Sequence, residues 1–407
     1  MTQSPKIGYL IPEFPGQTHI FFWREILALE RMGIEVVLFS TRRPPPGLIS
    51  HKWSDEAIAR TEYLGVMDGA AAARTALSVS PTVYAKDILR EGKTLGKDLA
   101  VTTGAAQLLK KSCARQGVSH VHVHSCGRAA LVAMLSNRMG GPSYSVTLHG
   151  PMSDYGVGQR LKWRHAKFAT VITEKLNALL PEQLGDDLPK KVFIQPMGVD
   201  VSVLNRDGVP YMPYHSGGPL QLFSCGRLNI VKGHQDLIDA VKQLRDQGID
   251  ARLNIAGEDD DGGHGYRRVL EEKIADLEIG NAVRLLGAIS AEEVRRHLLE
   301  AHIFALASWH EPLGVAYMEA MACEVPTIGT DAGGVPELIR HGVDGIMTKP
   351  KSPTDLAAAI QLLANNAGDA MRLGKAGRAR VLDRFDCKKG AELIARESLD
   401  LTISKQI

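Results

Sequence analysis

Two glutamates, Glu311 and Glu319, flank a glycine in the stretch His310-Glu311-Pro312-Leu313-Gly314-Val315-Ala316-Tyr317-Met318-Glu319-Ala320-Met321-Ala322. A helix that begins at a glycine offers unpaired backbone N–H groups and a partial positive charge, and so forms an anion site. Glycine at that point lets a phosphate approach the backbone closely. Glu311 lies just before the anion site, and Glu319 about one and a half turns beyond it at 3.6 residues per turn. One carboxylate on each side of an anion site suits a ligand with hydroxyl-bearing groups on both sides of a phosphate. That is the layout of a nucleotide sugar. Taken alone, two glutamates on a strand–turn–helix would more often simply face solvent.

The elements around this stretch have to hold it at a strand end. The apolar run Ile303-Phe304-Ala305-Leu306-Ala307 reads as a buried strand that feeds the turn Trp309-His310-Glu311-Pro312. Good helix formers follow Gly314 and stop before a further strand, Val325-Pro326-Thr327-Ile328. Upstream, the strand Leu220–Cys225 opens into Gly226-Arg227-Leu228-Asn229-Ile230-Val231-Lys232-Gly233-His234, then a helix of about 234–247 and a strand Ala251–Ala256. Arg227 and Lys232 in that loop suit a diphosphate. Glu258-Asp259-Asp260-Asp261-Gly262-Gly263 offers an Asp-x-Asp for a metal on a diphosphate. Charge runs are usually solvated loops, and that is the expectation here. Val283–Gly287 is another strand, and Ser290-Ala291-Glu292-Glu293 is a capping box that starts a helix to about Ala301. Gly333-Gly334-Val335-Pro336-Glu337 turns into a short helix. Segments 354–364, 369–383 and 388–401 read as helices, the last crossing back to brace the first half of the chain.

That first half repeats the same grammar. Lys6–Ile11 is a strand, Pro12–Gln17 a loop with Gly16, about Thr18–Arg31 a helix and Glu35–Ser40 a strand. Strand, glycine loop, helix, strand opens a doubly wound sheet, whose ligands gather at the strands' C-terminal ends. Residues 54–117 read as mostly helical, without an assigned task. His120-Val121-His122-Val123-His124 alternates like a strand. With no carboxylate or cysteine completing a ligand set, its histidines read as structural rather than metal-binding. Ala129–Met139 is a helix and Ser143–Thr147 a strand, which delivers His149-Gly150 to the sheet's C-terminal edge. Gly158–Phe168 carries Arg160, Lys162, Arg164 and Lys167 with Trp163, a basic face fit for solvent or for anionic lipid. Val171–Thr173 and Val192–Ile194 read as short strands, Met197-Gly198-Val199-Asp200 as a hinge, and 201–218 as an interdomain linker.

Length and composition bound the rest. A chain of 407 residues suggests two domains, here 1–200 and 219–387. A hydrophobic content of 44% with 23% charged residues describes a globular protein, and a net charge of +2 gives no nucleic-acid signature. Five cysteines without metal spacing point to reduced thiols. No apolar run approaches a membrane span and the N-terminus leads straight into a strand without a signal peptide. The expectation is a cytoplasmic protein, peripheral at most to the inner face of the plasma membrane.

With these motifs in place, the chain resembles the family 4 retaining glycosyltransferases of the GT-B fold, in the group that includes exopolysaccharide and colanic-acid enzymes. The resemblance lies in Glu311-x7-Glu319, Gly226-Arg227…Lys232-Gly233, Gly333-Gly334-Val335-Pro336-Glu337 and Thr147-Leu148-His149-Gly150, all in the family's order. It implies an α/β fold of two Rossmann-like domains facing across a cleft. By resemblance, Glu319 holds the ribose hydroxyls and Glu311 the donor sugar's ring hydroxyls. The amides of Gly314 and Val315 take phosphate beside Leu313, Arg227 and Lys232 neutralise the leaving diphosphate, and Ala288 lies where the base is seated. His149 contacts the transferred sugar, so that His149, Glu311, Arg227 and Lys232 form the implied catalytic set. Gly16 lets the first loop close, with Gln17 and His19 on the acceptor side. The donor is a UDP- or GDP-sugar, with no tightly bound cofactor and no metal, and the acceptor a sugar, a lipid-linked sugar or a small molecule.

Two stretches depart from the family pattern. Met197 stands where asparagine is usual in the hinge. Thr18-His19 replace Ser-Glu in an opening that otherwise matches, Phe14-Pro15-Gly16…Phe22-Trp23-Arg24-Glu25-Ile26, which leaves acceptor choice open. The competing readings are a GT-B epimerase, a phosphorylase, or a two-domain sugar-binding protein without chemistry.

Overall fold

The computed structural model describes residues 4–16, 18–44, 52–65, 84–260 and 262–400. They divide by internal contacts into two compact units, one of residues 1–45, 53–196 and 388–407 and the other of 46–52 and 197–387.

The first unit is a seven-stranded sheet in the order β3-β2-β1-β4-β5-β6-β7. Its strands are β1 (Lys6–Glu13), β2 (Glu35–Arg42), β3 (Thr61–Tyr63), β4 (His120–Val123), β5 (Ser143–Leu148), β6 (Ala169–Val171) and β7 (Val192–Ile194). Every pairing is parallel. The chain winds outward from β1 in one direction and from β4 in the other, so the switch point lies between them. Residues 54–117 hold the strand β3 as well as helices at Ser54–Arg60, Ala85–Glu91 and Lys93–Gln116. β3 escaped sequence reading because three residues on a sheet edge show no period. Segment 66–83 lies outside the described residues.

The second unit is a six-stranded parallel sheet in the order β10-β9-β8-β11-β12-β13. Its strands are β8 (Leu220–Cys225), β9 (Ala251–Ala256), β10 (Val283–Gly287), β11 (Ile303–Ala305), β12 (Thr327–Thr330) and β13 (Ile346–Thr348). The switch point is between β8 and β11. Parallel strands are covered on both faces, which is why β11 reads as an unbroken apolar run. Leu237, Ile238, Val241 and Leu244 from one helix and Leu356, Ile360 and Leu363 from another share the sheet's core. Each such leucine or isoleucine is worth roughly 1.5–3 kcal/mol of burial.

Residues 201–218 are packed into the second unit rather than acting as a free spacer. The buried Arg206 guanidinium donates to Leu299 O at 3.0 Å and Cys323 O at 3.1 Å. These carbonyls lie at the C-terminal ends of two helices, where a cation is favoured. Tyr211 Oη donates to His302 O at 2.7 Å. The hinge is tied down as well, by Val199 N to Phe385 O (2.9 Å) and Cys387 N to Val199 O (3.0 Å). In the first unit, Glu397 of the final helix pairs with Lys191 at 2.7 Å.

Candidate active site

The second unit places its chemistry on the two loops that leave β8 and β11, the strands flanking its switch point. Trp309 joins those loops. Its backbone N–H donates to Val231 O at 2.7 Å and its indole Nε1 to Asp236 Oδ2 at 2.5 Å. His234, fully buried, contacts Arg227 O through Nε2 at 3.3 Å, and burial holds its pKa down at about 4. It is therefore a neutral imidazole donating into the loop. Sequence reading missed both His234 and Trp309 as positioning residues: the partners of Trp309 lie more than 70 positions away, and that of His234 is a backbone carbonyl, which residue type does not announce.

Glu311 is only 6% exposed. Its Oε2 accepts from Lys232 Nζ, and Ser308 Oγ donates to the same oxygen at 3.2 Å. The helix Val315–Ala322 starts four positions later, with Gly314 at φ +99° as its cap residue, no side-chain cap and no acidic residue in its first turn. At that φ a side chain would be strained, and a Cβ would lie 2.3 Å from the Tyr317 ring. Tyr317 is buried and donates to Leu306 O at 2.8 Å, anchoring the helix start against the end of β11. Glu319 is buried on this helix and Leu313 is buried in the turn before it. Gly333, at φ +64°, brings the following loop against Glu311, and Gly334 N donates to Glu311 O at 2.9 Å. The structure thus brings Lys232, Glu311, Gly314 and Val315 together on adjoining loops.

Arg227 sits further out. It faces Asp260 at 3.6 Å with both side chains well exposed, a pair worth little in water. Ala288 follows Gly287, whose carbonyl accepts from Gly257 N at 2.8 Å. The acidic run is only in part the solvated loop expected from its charge: Asp260 is exposed, but its neighbour is not. Asp259 is buried and its carboxylate accepts from the backbone N–H groups of Gly263 (2.8 Å), Gly265 (3.0 Å) and Arg267 (2.9 Å). It organises the turn into helix Tyr266–Asp276, while Asp261 lies outside the described residues. Among the described residues no group of three or more His, Cys, Asp or Glu side chains could hold a metal.

In the first unit the loop after β1 is pinned by Tyr63 Oη, which donates to Phe14 O at 2.9 Å. His19 N donates to Gly16 O at 3.0 Å, and the His19 ring stacks on Phe14 at 6.2 Å between centroids. Gln17 lies outside the described residues. His149 follows β5 and packs on Phe21 and Phe22 at 5.7 and 5.6 Å. His120 and His122 are fully buried, and their ring nitrogens face Ser143, Ser145 and Thr147 hydroxyls at 2.7–2.8 Å. Burial pushes the His120 pKa down to about 3 and that of His122 well below its ordinary value. They are neutral rungs of a polar ladder within the sheet.

The 160–167 segment loses the free basic face that a lipid role would need. Arg164 pairs with Asp87 at 3.0 Å and Asp187 at 2.5 Å, Lys167 with Asp400 at 2.9 Å, and Lys162 is buried against Tyr155 O at 3.1 Å. Arg164 and Lys167 balance carboxylates of their own unit, and Lys162 donates to a backbone carbonyl.

Residues 214–380 match the family model described as glycosyl transferases group 1. The chain is 32% identical over 206 residues to an amylovoran biosynthesis glycosyltransferase of Erwinia amylovora, 48% of each chain. The match therefore spans about half the length of that curated relative. A glycosyltransferase structure from Rickettsia africae superposes with a TM-score of 0.72 at 17% identity, covering 99% of this chain and 100% of that one. The Anabaena protein HepE, solved in complex with UDP-glucose, gives 0.72 at 18% identity over 97% of this chain and 100% of that one. Identities this low speak for the fold alone, which is GT-B. Residues 214–380, less than half of the chain, are thus similar to the group 1 glycosyl transferases.

Proposed function

We propose that this protein moves a sugar from a nucleoside diphosphate sugar to a hydroxyl acceptor, in the synthesis of a polysaccharide. The observation that carries the reading is Glu311, buried and held by Lys232 and Ser308 directly before an uncapped helix N-terminus. Glu311 then binds the ring hydroxyls of the sugar, the Gly314 and Val315 amides the phosphate, and Glu319 the ribose. Lys232, Arg227 and the helix start meet the negative charge that grows on the departing diphosphate. His149 contacts the sugar, and Gly16 and His19 face the acceptor. Replacement on the same face retains the anomeric configuration. The bound UDP-glucose of HepE favours a UDP-sugar. Asp259 is committed to backbone amides, so the leaving group relies on Lys232, Arg227 and the helix rather than on a metal held by the acidic loop. Relatives that are glycosyltransferases favour transfer over the epimerase, phosphorylase and binding-protein readings. No helix among the described residues is long and apolar enough to cross a membrane. The free thiols of all five cysteines fit a reducing, cytoplasmic setting.

The test is a thermal-shift panel of nucleoside diphosphates and their sugars, followed by donor hydrolysis and transfer. A ligand at a hundred times its dissociation constant adds about 2.7 kcal/mol of stability. One nucleotide sugar is expected to give that shift, and Glu319→Ala to weaken its binding about 10- to 100-fold through loss of a charge-assisted hydrogen bond. A flat panel would end the reading. Transfer is also expected to proceed undiminished in a chelator, and a rate restored only by a divalent cation would return the metal to the mechanism.

A further inference from the structure

A second chain of contacts stands behind His149, and nothing in the donor site accounts for it. His149 Nε2 lies 3.1 Å from His124 Nδ1. His124 Nε2 lies 3.0 Å from Glu25 Oε2, at charge-contact distance without hydrogen-bond alignment. Tyr9 Oη donates to the same Glu25 oxygen at 2.6 Å. Four residues from three strands and one helix thus form one line, from β1 through Glu25 of the helix Ile20–Arg31 and the end of β4 to the residue after β5. His149 Nδ1, at the far end, is a buried nitrogen with no partner among the described residues. Buried polar atoms are nearly always paired, so an orphan calls for an explanation.

We propose that Glu25 and His124 are positioning residues that fix the tautomer of His149 and leave its Nδ1 as a hydrogen-bond acceptor for a hydroxyl of the transferred sugar. Each neutral imidazole carries one proton, on one of its two nitrogens. A carboxylate beside His124 Nε2 favours the proton on that nitrogen. His124 Nδ1 is then a lone pair, and receives the Nε2–H of His149. His149 keeps its single proton there, and Nδ1 is bare. Burial pushes both His124 and His149 down to about 3, so neither ring carries a second proton at neutral pH. Burial raises the Glu25 carboxyl above its ordinary value, and the hydrogen bond from the Tyr9 hydroxyl holds that rise back. A hydroxyl is the ligand group that can fill a bare nitrogen. When the diphosphate departs and the sugar ring turns positive, that hydroxyl leans on an imidazole backed by a carboxylate. The opposite chain would need a protonated Glu25 donating to His124, and would leave an Nδ1–H on His149.

The proposal rests on the transferase reading for the identity of the hydroxyl, while the tautomer can be measured without turnover. The experiment is ¹H–¹⁵N correlation of the imidazoles in the full-length, ¹⁵N-histidine-labelled protein at neutral pH, with His149→Asn locating the signal. The expected result is His149 protonated at Nε2 and bare at Nδ1, and a loss of that preference in Glu25→Leu. Loss of an outer carboxylate that orients a histidine costs roughly 10–100-fold in metal sites. The same range is expected here in kcat, with the donor KM held, because the donor glutamates are untouched. An Nδ1–H tautomer or a doubly protonated His149 in the wild type overturns the proposal, as does an unchanged tautomer in Glu25→Leu. Should Glu25→Leu fail to fold, the wild-type spectrum decides by itself. If no nucleotide sugar is turned over, that spectrum still decides the relay, and it is the transferase reading that falls.

Discussion

Glu311→Ala is expected to lower kcat/KM for sugar transfer about 10²–10³-fold, the range for removing one preorganised electrostatic group from an active site. The carboxylate does two things at once. In the proposed site it offers oxygens to the sugar hydroxyls, and it accepts from Lys232 Nζ shortly before the helix Val315–Ala322. The Lys232 and Glu311 side chains are only 17% and 9% exposed, so the ammonium has little water to fall back on when its partner is gone. Lys232→Ala is expected to lose a similar factor. If both act on one diphosphate sugar, as proposed, the double variant should lose far less than the product of the two. Steady-state kinetics on the four proteins of the cycle, with circular dichroism to confirm folding, measures this. Factors that multiply would mean that the two residues work separately. A Glu311→Ala variant with full turnover and only weaker donor binding would make Glu311 a binding residue without a part in the transition state.

Gly333→Ala is expected to cost about 2–4 kcal/mol of stability, the sum of a left-handed backbone and a steric clash. At φ +64° a Cβ on residue 333 would lie 2.0 Å from Glu311 O and 3.1 Å from Glu311 N. Both neighbours are backbone atoms, which cannot swing aside as a side chain would. Relief has to come from moving the Glu311 turn, so activity should fall even where the variant folds. Chemical denaturation gives the first number and kinetics at a temperature well below the transition the second. An unchanged denaturation midpoint would show that the loop has room the structure does not give it.

Much of the site was legible before any coordinates. Buried parallel strands write continuous apolar runs, and the loop after such a run is where a ligand belongs. That is enough to locate Glu311, Gly314, Arg227 and Lys232 at strand ends. The charge patterns of the Asp259 loop and of residues 160–167 read differently in three dimensions. Both looked solvated or lipid-facing because sequence shows charge without its partner. Asp259 turned inward to three backbone amides, and Arg164 and Lys167 met Asp87, Asp187 and Asp400 across loops that no local period connects.

The sequence alone determined the grammar of the chain, which is two doubly wound halves, glycines where backbone approaches backbone, and a glutamate pair around a helix start. These follow from short-range rules of period, capping and turn chemistry. Tertiary structure alone decided which charges face one another. Ion pairs such as Lys232–Glu311 and contacts such as Glu25–His124 join residues 79 and 99 positions apart in the chain, and only the sheet order that sets β1 beside β4 and β8 beside β11 brings them within 3 Å or so. Electrostatics falls with distance in space, and distance along the chain carries no record of it.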